Sequence, residues 1–383
     1  MVAKFIISII VILFLCWIGY TSGKEKSQDP SPLPIPESWQ LIAKSQNGEI
    51  QQVAVSGEYV AWLEARVDPK SIGCVCRECW FDVYRKRLDS NEIETLTTSD
   101  KANNKPHNII LGASGLVAEN EYGRHELYIP GHKPITFTGA SFFDAPYSIY
   151  SDAIICHIET GIAKGVSIIP LKNNYPDFEN RKIIVTPVDE DKIDYGGSIF
   201  WNSNQVLYRK EGWDNALRQM TYISNSILYD TTSEKILWTT DSSSPIGLDK
   251  DYAYLRKENI IRFSINDPSR KEQLILPYTR GFTKIISFSP PDYIIYVVPK
   301  NMNESYLSLF DITKGVITEY DIQFNKIVEQ YSAKERWWDL CAGDASTKTV
   351  IVNVNNCIYK VPPKNEIKME KASFGWRFGV NNK

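Results

Sequence analysis

Short runs of apolar and β-branched residues, separated by Gly, Pro, Asn, Asp and Ser, recur along the chain from Trp39 onward. Apolar and polar positions alternate within many of these runs, which is typical of β-strands that bury one face. No stretch of this region has the three- and four-residue spacing of apolar positions that a long amphipathic helix requires. The pattern therefore predicts an all-β fold.

Seven apolar runs can be aligned with one another, and most of them follow a turn residue and precede a second short strand. The first begins at residue 59 and the last at residue 349, so the mean spacing is about 48 residues. Repeats of this length built only of strands are typical of β-propellers, in which four-stranded blades pack around an axis. We predict a single propeller of about seven blades, with six or eight as alternatives because the spacing is uneven. The runs are 59–62, 116–118, 153–156, 205–208, 252–255, 293–296 and 349–352.

Three segments carry motifs that are found in known propellers. Residues 286–296 read ISFSPPDYIIY, residues 55–62 read VSGEYVAW and residues 309–315 read LFDITKG. They are similar to the blade motifs of TolB-like (WD40-like, PD40-repeat) β-propellers, and the likeness extends over residues 39–373 as a repeat pattern. The resemblance implies the propeller fold. Because the motifs specify packing and turns, it implies no particular chemistry.

The segment at residues 39–43 is strand-like, but too little sequence precedes the first aligned run to form a blade there. In a TolB-like chain such a segment would supply the outer strand of the final blade. Mixing N- and C-terminal strands in one sheet closes the ring and removes exposed edges. We therefore predict that residues 39–43 pair with the blade that contains residues 350–360.

The N-terminus is predicted to direct export. Residues 5–20 carry no charge and lie between Lys4 and the small residues 21–23, a pattern typical of a secretory signal. As a helix this run would span roughly 24 Å, less than the roughly 30 Å of a bilayer core, so a cleaved signal and a retained anchor both remain open. We predict that residues 1–22 are a signal peptide or membrane anchor and that the remainder is extracytoplasmic, whether periplasmic, at the cell surface or secreted.

The region between the apolar run and the first strand reads as a linker. Residues 23–38 contain Pro at 30, 32, 34 and 36 among polar residues, which is typical of an extended segment. We expect residues 39–383 to form the propeller, as a monomer that contacts the membrane only through the N-terminal segment.

Charge and motifs exclude several classes of protein. The 43 basic and 46 acidic side chains give a net charge of −3, which argues against nucleic-acid binding because such binding needs a basic surface. The sequence contains no P-loop, no G-x-G-x-x-G and no G-x-S-x-G nucleophile elbow. We therefore expect no cofactor and assign no catalytic residues.

The cysteines are candidates for disulfides. In an oxidising compartment disulfides are the default, and without Cys16 six cysteines remain, which fits three bridges. Cys341 and Cys357 both belong to the last blade and form the preferred local bridge. A metal or redox role for the clustered thiols and reduced structural cysteines are the alternatives. The other candidates are Cys74, Cys76, Cys79 and Cys156.

Aromatic clusters near the C-terminus are candidates for binding. Arg336, Trp337 and Trp338 are consecutive, and Trp376 lies between Gly and Arg. Paired aromatics beside Arg suit a recognition surface or stacking on sugars. Packing of Trp between blades is the alternative interpretation.

Two functions follow from these features. The favoured one is an extracytoplasmic interaction module whose blade loops bind an envelope protein or a glycan. The alternative is a metal-assisted polysaccharide lyase, because some TolB-like propellers are oligogalacturonate lyases that bind a metal through channel histidines. That enzyme would require the four histidines to converge on one mouth of the channel; they are His107, His125, His132 and His157.

Overall fold

The computed structural model contains seven antiparallel sheets, each of four or five strands, arranged as the blades of a β-propeller. Pro36–Lys383 form one compact unit. Within the described residues no helix is long and apolar enough to cross a membrane. The predicted signal or anchor and most of the predicted linker lie outside the described residues, which are 35–67, 79–98, 106–112, 115–120, 125–137, 143–159, 164–185, 193–194, 199–213, 222–241, 243–256, 259–276, 285–301, 304–323, 341–370 and 374–378.

The blades are numbered here in chain order, and each is a meander that begins with its innermost strand. Blade 1 contains β2 (Glu49–Ser56), β3 (Tyr59–Val67), β4 (Cys79–Arg87) and β5 (Ile93–Thr98), and blade 2 contains β6 (Pro106–Leu111), β7 (Leu116–Asn120), β8 (His125–Tyr128) and β9 (Ile135–Phe137). Blade 3 contains β10 (Phe143–Ile149), β11 (Ala153–Glu159), β12 (Lys164–Lys172), β13 (Tyr175–Pro176) and β14 (Lys182–Val185). Blade 4 contains β15 (Ile193–Asp194), β16 (Phe200–Trp201), β17 (Gln205–Trp213), β18 (Tyr222–Asp230) and β19 (Lys235–Asp241). A 3-10 turn, Phe178–Asn180, precedes β14.

The remaining three blades draw on both ends of the chain. Blade 5 contains β20 (Ser244–Leu248), β21 (Tyr252–Arg256), β22 (Ile260–Ser264), β23 (Lys271–Ile275) and β32 (Gly375–Phe378). Blade 6 contains β24 (Ile285–Ser289), β25 (Tyr293–Asn301), β26 (Glu304–Asp311), β27 (Val316–Gln323) and β31 (Pro363–Lys368). Blade 7 contains β28 (Cys341–Asp344), β29 (Thr349–Val354), β30 (Cys357–Lys360) and, as its outer strand, β1 (Gln40–Lys44).

The seven aligned runs of the sequence coincide with the second strand of the seven blades, so the predicted blade count is confirmed. Each run begins at the first residue of its strand, from Tyr59 in β3 to Thr349 in β29. These strands are buried on both sides because they lie inside a sheet that is itself packed between two neighbouring blades. Val60, Ile154, Tyr254 and Ile294 are all fully buried.

The predicted closure of the ring is also confirmed. β1 pairs antiparallel with β30, with Gln40 opposite Lys360 and Lys44 opposite Cys357. Ile42 and Ala43 are 4% and 5% exposed and pack with residues of blades 1 and 7. The outer strand of the last blade therefore comes from the N-terminal end of the propeller.

A buried carboxylate holds the turn that joins this closing strand to blade 1. Glu64 of β3 is fully buried, and its carboxylate accepts hydrogen bonds from the backbone N–H groups of Gln46 at 2.9 Å and of Asn47 at 2.9 Å. The same carboxylate accepts the indole N–H of Trp62 at 2.8 Å. Because a buried carboxylate needs hydrogen-bond donors, Glu64 holds the N–H groups of this turn and so fixes the link between the last blade and the first.

The C-terminal segment adds strands that the sequence pattern did not predict. After β30 the chain returns past the two preceding blades, where β31 pairs antiparallel with β27 and β32 pairs antiparallel with β23. Both become fifth, outermost strands. The apolar side chains of this segment pack in the cluster between blades 5 and 6; they are Ile367, Met369, Phe374 and Trp376.

The expected bridge between Cys341 and Cys357 is not formed. Among the described residues no disulfide joins any two of Cys156, Cys341 and Cys357. Cys341 lies on β28 and Cys357 on β30, with β29 between them. Two strand spacings alone amount to about 9–10 Å, and Cys341 lies in line with Tyr359 rather than Cys357, so their Cα atoms are farther apart than the roughly 7 Å that a disulfide can span. Cys156 lies in blade 3, away from both.

We therefore expect Cys341 and Cys357 to react with an alkylating agent in denaturant without prior reduction. Mass spectrometry of the alkylated chain measures this directly. A peptide pair in which the two cysteines are linked, in protein isolated without reductant, would contradict the arrangement of β28, β29 and β30.

Candidate functional site

The two faces of the propeller differ in the connections that they carry. Because every blade repeats the same meander around one axis, the first strands all begin at one face, where the second strands end. The connections that join strands at this face include residues 68–78, 214–221 and 324–340, and we call it the long-loop face. At the opposite, short-loop face the first and second strands are joined by tight turns such as residues 57–58 and 290–292.

Several carboxylates in the turns of the short-loop face accept hydrogen bonds within the fold. Asp344 accepts the backbone N–H of Gly57 in the neighbouring blade at 2.7 Å. Asp249 accepts the backbone N–H of Tyr252 at 2.7 Å and the phenol of Tyr254 at 2.5 Å. Both aspartates therefore cap turns, and Asp344 also links two neighbouring blades.

Asp152 has the same kind of role between blades 3 and 4. Its carboxylate accepts the indole N–H of Trp201 at 3.2 Å and the hydroxyl of Ser203 at 2.5 Å. Asn202 in turn donates to the backbone carbonyl of Asp249 at 2.6 Å, which links blade 4 to blade 5. These hydrogen bonds at the short-loop face therefore join neighbouring blades to one another.

Of the four predicted binding residues, only Trp376 lies among the described residues. Arg336, Trp337 and Trp338 belong to the connection between β27 and β28, at the long-loop face, and lie outside the described residues. Trp376 lies on β32 at the outer rim of blade 5. A common binding site for these residues therefore stays a prediction.

Trp376 is half-buried and packs on blade 5. Its ring lies 5.5 Å from that of Tyr254 and 4.4 Å from the guanidinium carbon of Arg262. The guanidinium carbon of Arg262 also lies 4.1 Å from the centre of the Tyr252 ring, and the Nε of Arg262 donates a hydrogen bond to Glu272 at 2.7 Å. Burial and the hydrogen bond to Asp249 raise the pKa of Tyr254 well above its usual value. These contacts pack Trp376 against blade 5, and its role in recognition stays a prediction.

The arrangement around Arg262 is repeated in blade 1, and the sequence analysis missed it. Arg85 of β4 lies 5.5 Å from the ring of Tyr59 and donates to Glu94 at 2.7 Å. In both blades the Tyr begins the second strand, the Arg lies on the third strand and the Glu pairs with it on the fourth. The sequence contained a signal for this arrangement: a Tyr at the start of an aligned run, followed by an Arg in the next strand.

The four candidate histidines are divided between the faces. His107 and His125 lie at the start of β6 and β8, and His157 lies near the end of β11, all close to the long-loop face. His132 follows the end of β8 at the short-loop face, where its ring lies 5.9 Å from that of Tyr175. Among the described residues no group of three or more His, Cys, Asp or Glu could hold a metal ion.

The cysteine cluster also belongs to the long-loop face by its position in the chain. Cys74 and Cys76 fall in the connection between β3 and β4 and lie outside the described residues, whereas Cys79 is the first residue of β4. The metal, redox and disulfide alternatives for this cluster therefore stay predictions.

Comparison with known proteins identifies the fold and no family. No family model and no curated protein matches the chain. The β-propeller domain of the Trilobed protease from Pyrococcus furiosus is similar with a TM-score of 0.51 and 9% identity, over 85% of this chain and 96% of that domain. That domain is described as having an open velcro topology, whereas β1 closes the ring in this chain.

Two further solved structures have the same general architecture. The WD40 propeller domain of Doa1 gives a TM-score of 0.41 at 12% identity, over 88% of this chain and 98% of that one. An inactive virginiamycin B lyase from Staphylococcus aureus, solved with quinupristin, gives 0.43 at 13% identity, over 84% and 97%. The chain is a seven-bladed β-propeller, similar in fold to the propeller domain of the Trilobed protease.

Proposed function

We propose that this chain is an extracytoplasmic binding module of the TolB-like type, which uses its long-loop face to bind a protein or a glycan at the cell envelope. The observation that carries the proposal is the contrast between the two faces. Carboxylates of the short-loop turns, such as Asp344 and Asp152, are used in links between blades, whereas the connections of variable length join strands at the other face. Binding residues are commonly carried by loops on a rigid scaffold.

The composition of those connections supports a recognition role. The connection between β27 and β28 contains the consecutive Arg336, Trp337 and Trp338, and Arg and Trp are enriched at the energetic centres of interfaces. Their aromatic faces also suit stacking on sugars. The apolar N-terminal run supports the envelope as the location, because its pattern is that of a secretory signal.

The proposal is tested with the double variant Trp337→Ala/Trp338→Ala and a matched double variant on the short-loop face, Lys250→Ala/Asp251→Ala. Lys250 and Asp251 are exposed residues of a tight turn. Each purified chain is assayed by affinity capture from envelope extracts and against an array of envelope glycans.

We expect the tryptophan variant to bind its captured partner or glycan at least about 30-fold more weakly, because hot-spot residues contribute roughly 2 kcal/mol each. The turn variant should bind like the unaltered chain. Equal binding by both variants, with unchanged melting temperatures, would contradict the assignment to this connection. Loss of binding in the turn variant alone would place the binding site on the short-loop face.

A further inference from the structure

We call residues 363–378, which contain the strands β31 and β32, the strap. These two strands are not needed to complete the propeller. Blades 5 and 6 each have four strands of their own, and the ring is closed by β1 on blade 7. Without the strap the molecule would still be a closed ring of seven four-stranded blades. The strap is therefore an addition to a finished fold, held at the outer rim of blades 5 and 6.

The rim contains a shaped recess for the first aromatic side chain of this segment. Phe374 lies against Gly315, where a Cβ atom added to the glycine would come within 2.0 Å of the ring. Gly315 also has a φ of +66°, in the left-handed region that favours glycine. On another side the ring meets Phe310 edge to face at a centroid distance of 5.7 Å. The recess thus accepts an aromatic ring because residue 315 has no side chain.

The second recess holds Trp376, which lies two residues after Phe374 in the chain. The guanidinium carbon of Arg262 lies 4.4 Å from the centre of the Trp376 ring and 4.1 Å from that of Tyr252, so the cation contacts both aromatic rings. Backbone pairing sets the register, with Trp376 opposite Leu274 and Gly375 opposite Ile275. The rim therefore recognises an extended strand that carries an aromatic–glycine–aromatic sequence.

The strap itself is weakly buried. Five of the six residues of β31 are exposed, and only Ile367 is half-buried. Segments with few buried apolar side chains and solvent-exposed backbone hydrogen bonds open locally, well below the free energy of global unfolding. The join to β30 consists of Val361 and Pro362 and leads into Pro363, so the strap is attached through a short, stiff segment. Short connections of this kind favour exchange of an element between two chains.

From these observations we propose that the rim of blades 5 and 6 is a strand-binding site, and that the strap of a second copy of this chain can take the place of the resident one. The contacts in such an exchange are those already seen within one chain, which is why the second copy is the fitting occupant. The mode of binding is the addition of a strand to a sheet edge: main-chain pairing provides affinity, and the two aromatic recesses provide specificity. This proposal does not depend on the function assigned to the long-loop face.

Local opening is tested by hydrogen exchange on the full-length chain. The amides of β31 and β32 should exchange at least tenfold faster than those of β25 and β26, under conditions in which the ring remains folded. If strap amides exchange only at the rate of the ring, the strap opens only with global unfolding, and the proposal is wrong.

Binding in trans is tested with the full-length variant Phe374→Ala/Trp376→Ala, whose own strap is weakened, and a synthetic peptide of residues 363–378. The peptide should bind at a 1:1 ratio, measured by calorimetry. A peptide with alanine at 374 and 376 should bind at least tenfold more weakly, and so should the natural peptide when the chain also carries Gly315→Ala. Absence of binding by the natural peptide to the folded variant would overturn the strand-binding site.

The identity of the occupant is tested by light scattering of the unaltered chain over a range of concentrations. We expect a dimer that increases with concentration and is absent in the Phe374→Ala/Trp376→Ala variant. A dimer that persists in the variant would be formed by another surface. That result, or a monomer at every concentration despite peptide binding, would overturn the second copy as the occupant.

Discussion

Deletion of residues 1–45 is expected to destabilise the propeller severely, whereas deletion of residues 1–38 should leave its stability unchanged. The longer deletion removes β1, which pairs with β30 and buries Ile42 and Ala43. Loss of one buried Ile side chain alone costs about 2–5 kcal/mol, and the deletion also exposes the edge of β30 to intermolecular pairing. Thermal melts and size-exclusion chromatography of the two purified fragments measure the difference, which should exceed about 4 kcal/mol.

A pair of point variants gives the matched control, because neighbouring residues of β1 differ sharply in burial. Ile42 is 4% exposed and Leu41 is 45% exposed. Ile42→Ala should lower the free energy of unfolding by about 2–4 kcal/mol, and Leu41→Ala by less than about 0.5 kcal/mol. If the longer deletion stays soluble and melts with the shorter one, or if the two point variants behave alike, the closure by β1 is wrong.

The blade pattern was predictable because it is local. Each second strand is buried within its sheet and between neighbouring blades, so its apolar run is recognisable from a few residues, as at 59–62 and 293–296. Closure by residues 39–43 was also predictable, since a lone strand before the first blade has one place where it removes an edge.

The strap was not predictable from the pattern, because its burial does not follow strand periodicity. β31 reads PKNEIK, which has one apolar side chain after its initial proline, and its pairing with β27 joins residues about 50 positions apart. The same limit applies to Trp376, whose contacts with Tyr254 and Arg262 come from a blade more than a hundred residues earlier. Composition identified an aromatic cluster there, but only the fold distinguishes packing from recognition.

The predicted disulfide between Cys341 and Cys357 was wrong because it relied on their nearness in the sequence. Cys341 and Cys357 are close in the chain and belong to one blade, which favoured a bridge between them. In a meander the first and third strands are separated by the second, so cysteines on β28 and β30 cannot meet across β29. Cysteines on adjacent strands of a blade would have been the better candidates.

Glu64→Ala is expected to be among the most destabilising single substitutions in the ring, although it removes no apolar surface. The carboxylate accepts the backbone N–H groups of Gln46 and Asn47 and the indole N–H of Trp62, and Glu64 itself is fully buried. The indole N–H of Trp62 is buried and would lose its partner, at a cost of about 1–3 kcal/mol, and the turn would lose hydrogen bonds to a charged acceptor, worth about 1.5–3 kcal/mol each, so the loss should be at least about 3 kcal/mol. The variant should also loosen the turn that holds β1 against blade 1.

The matched control for this substitution is Glu58→Ala in the same blade. Glu58 lies at a turn with a side chain that is 72% exposed, and its ion pair with Arg87 is at the surface. Surface pairs contribute little, so its loss should change the free energy of unfolding by less than about 0.5 kcal/mol. Denaturant unfolding monitored by tryptophan fluorescence compares the two variants, and hydrogen exchange of β1 reports the loosened closure. Equal midpoints for both variants, or unaltered protection of β1 in Glu64→Ala, would show that the carboxylate does not hold the ring closed.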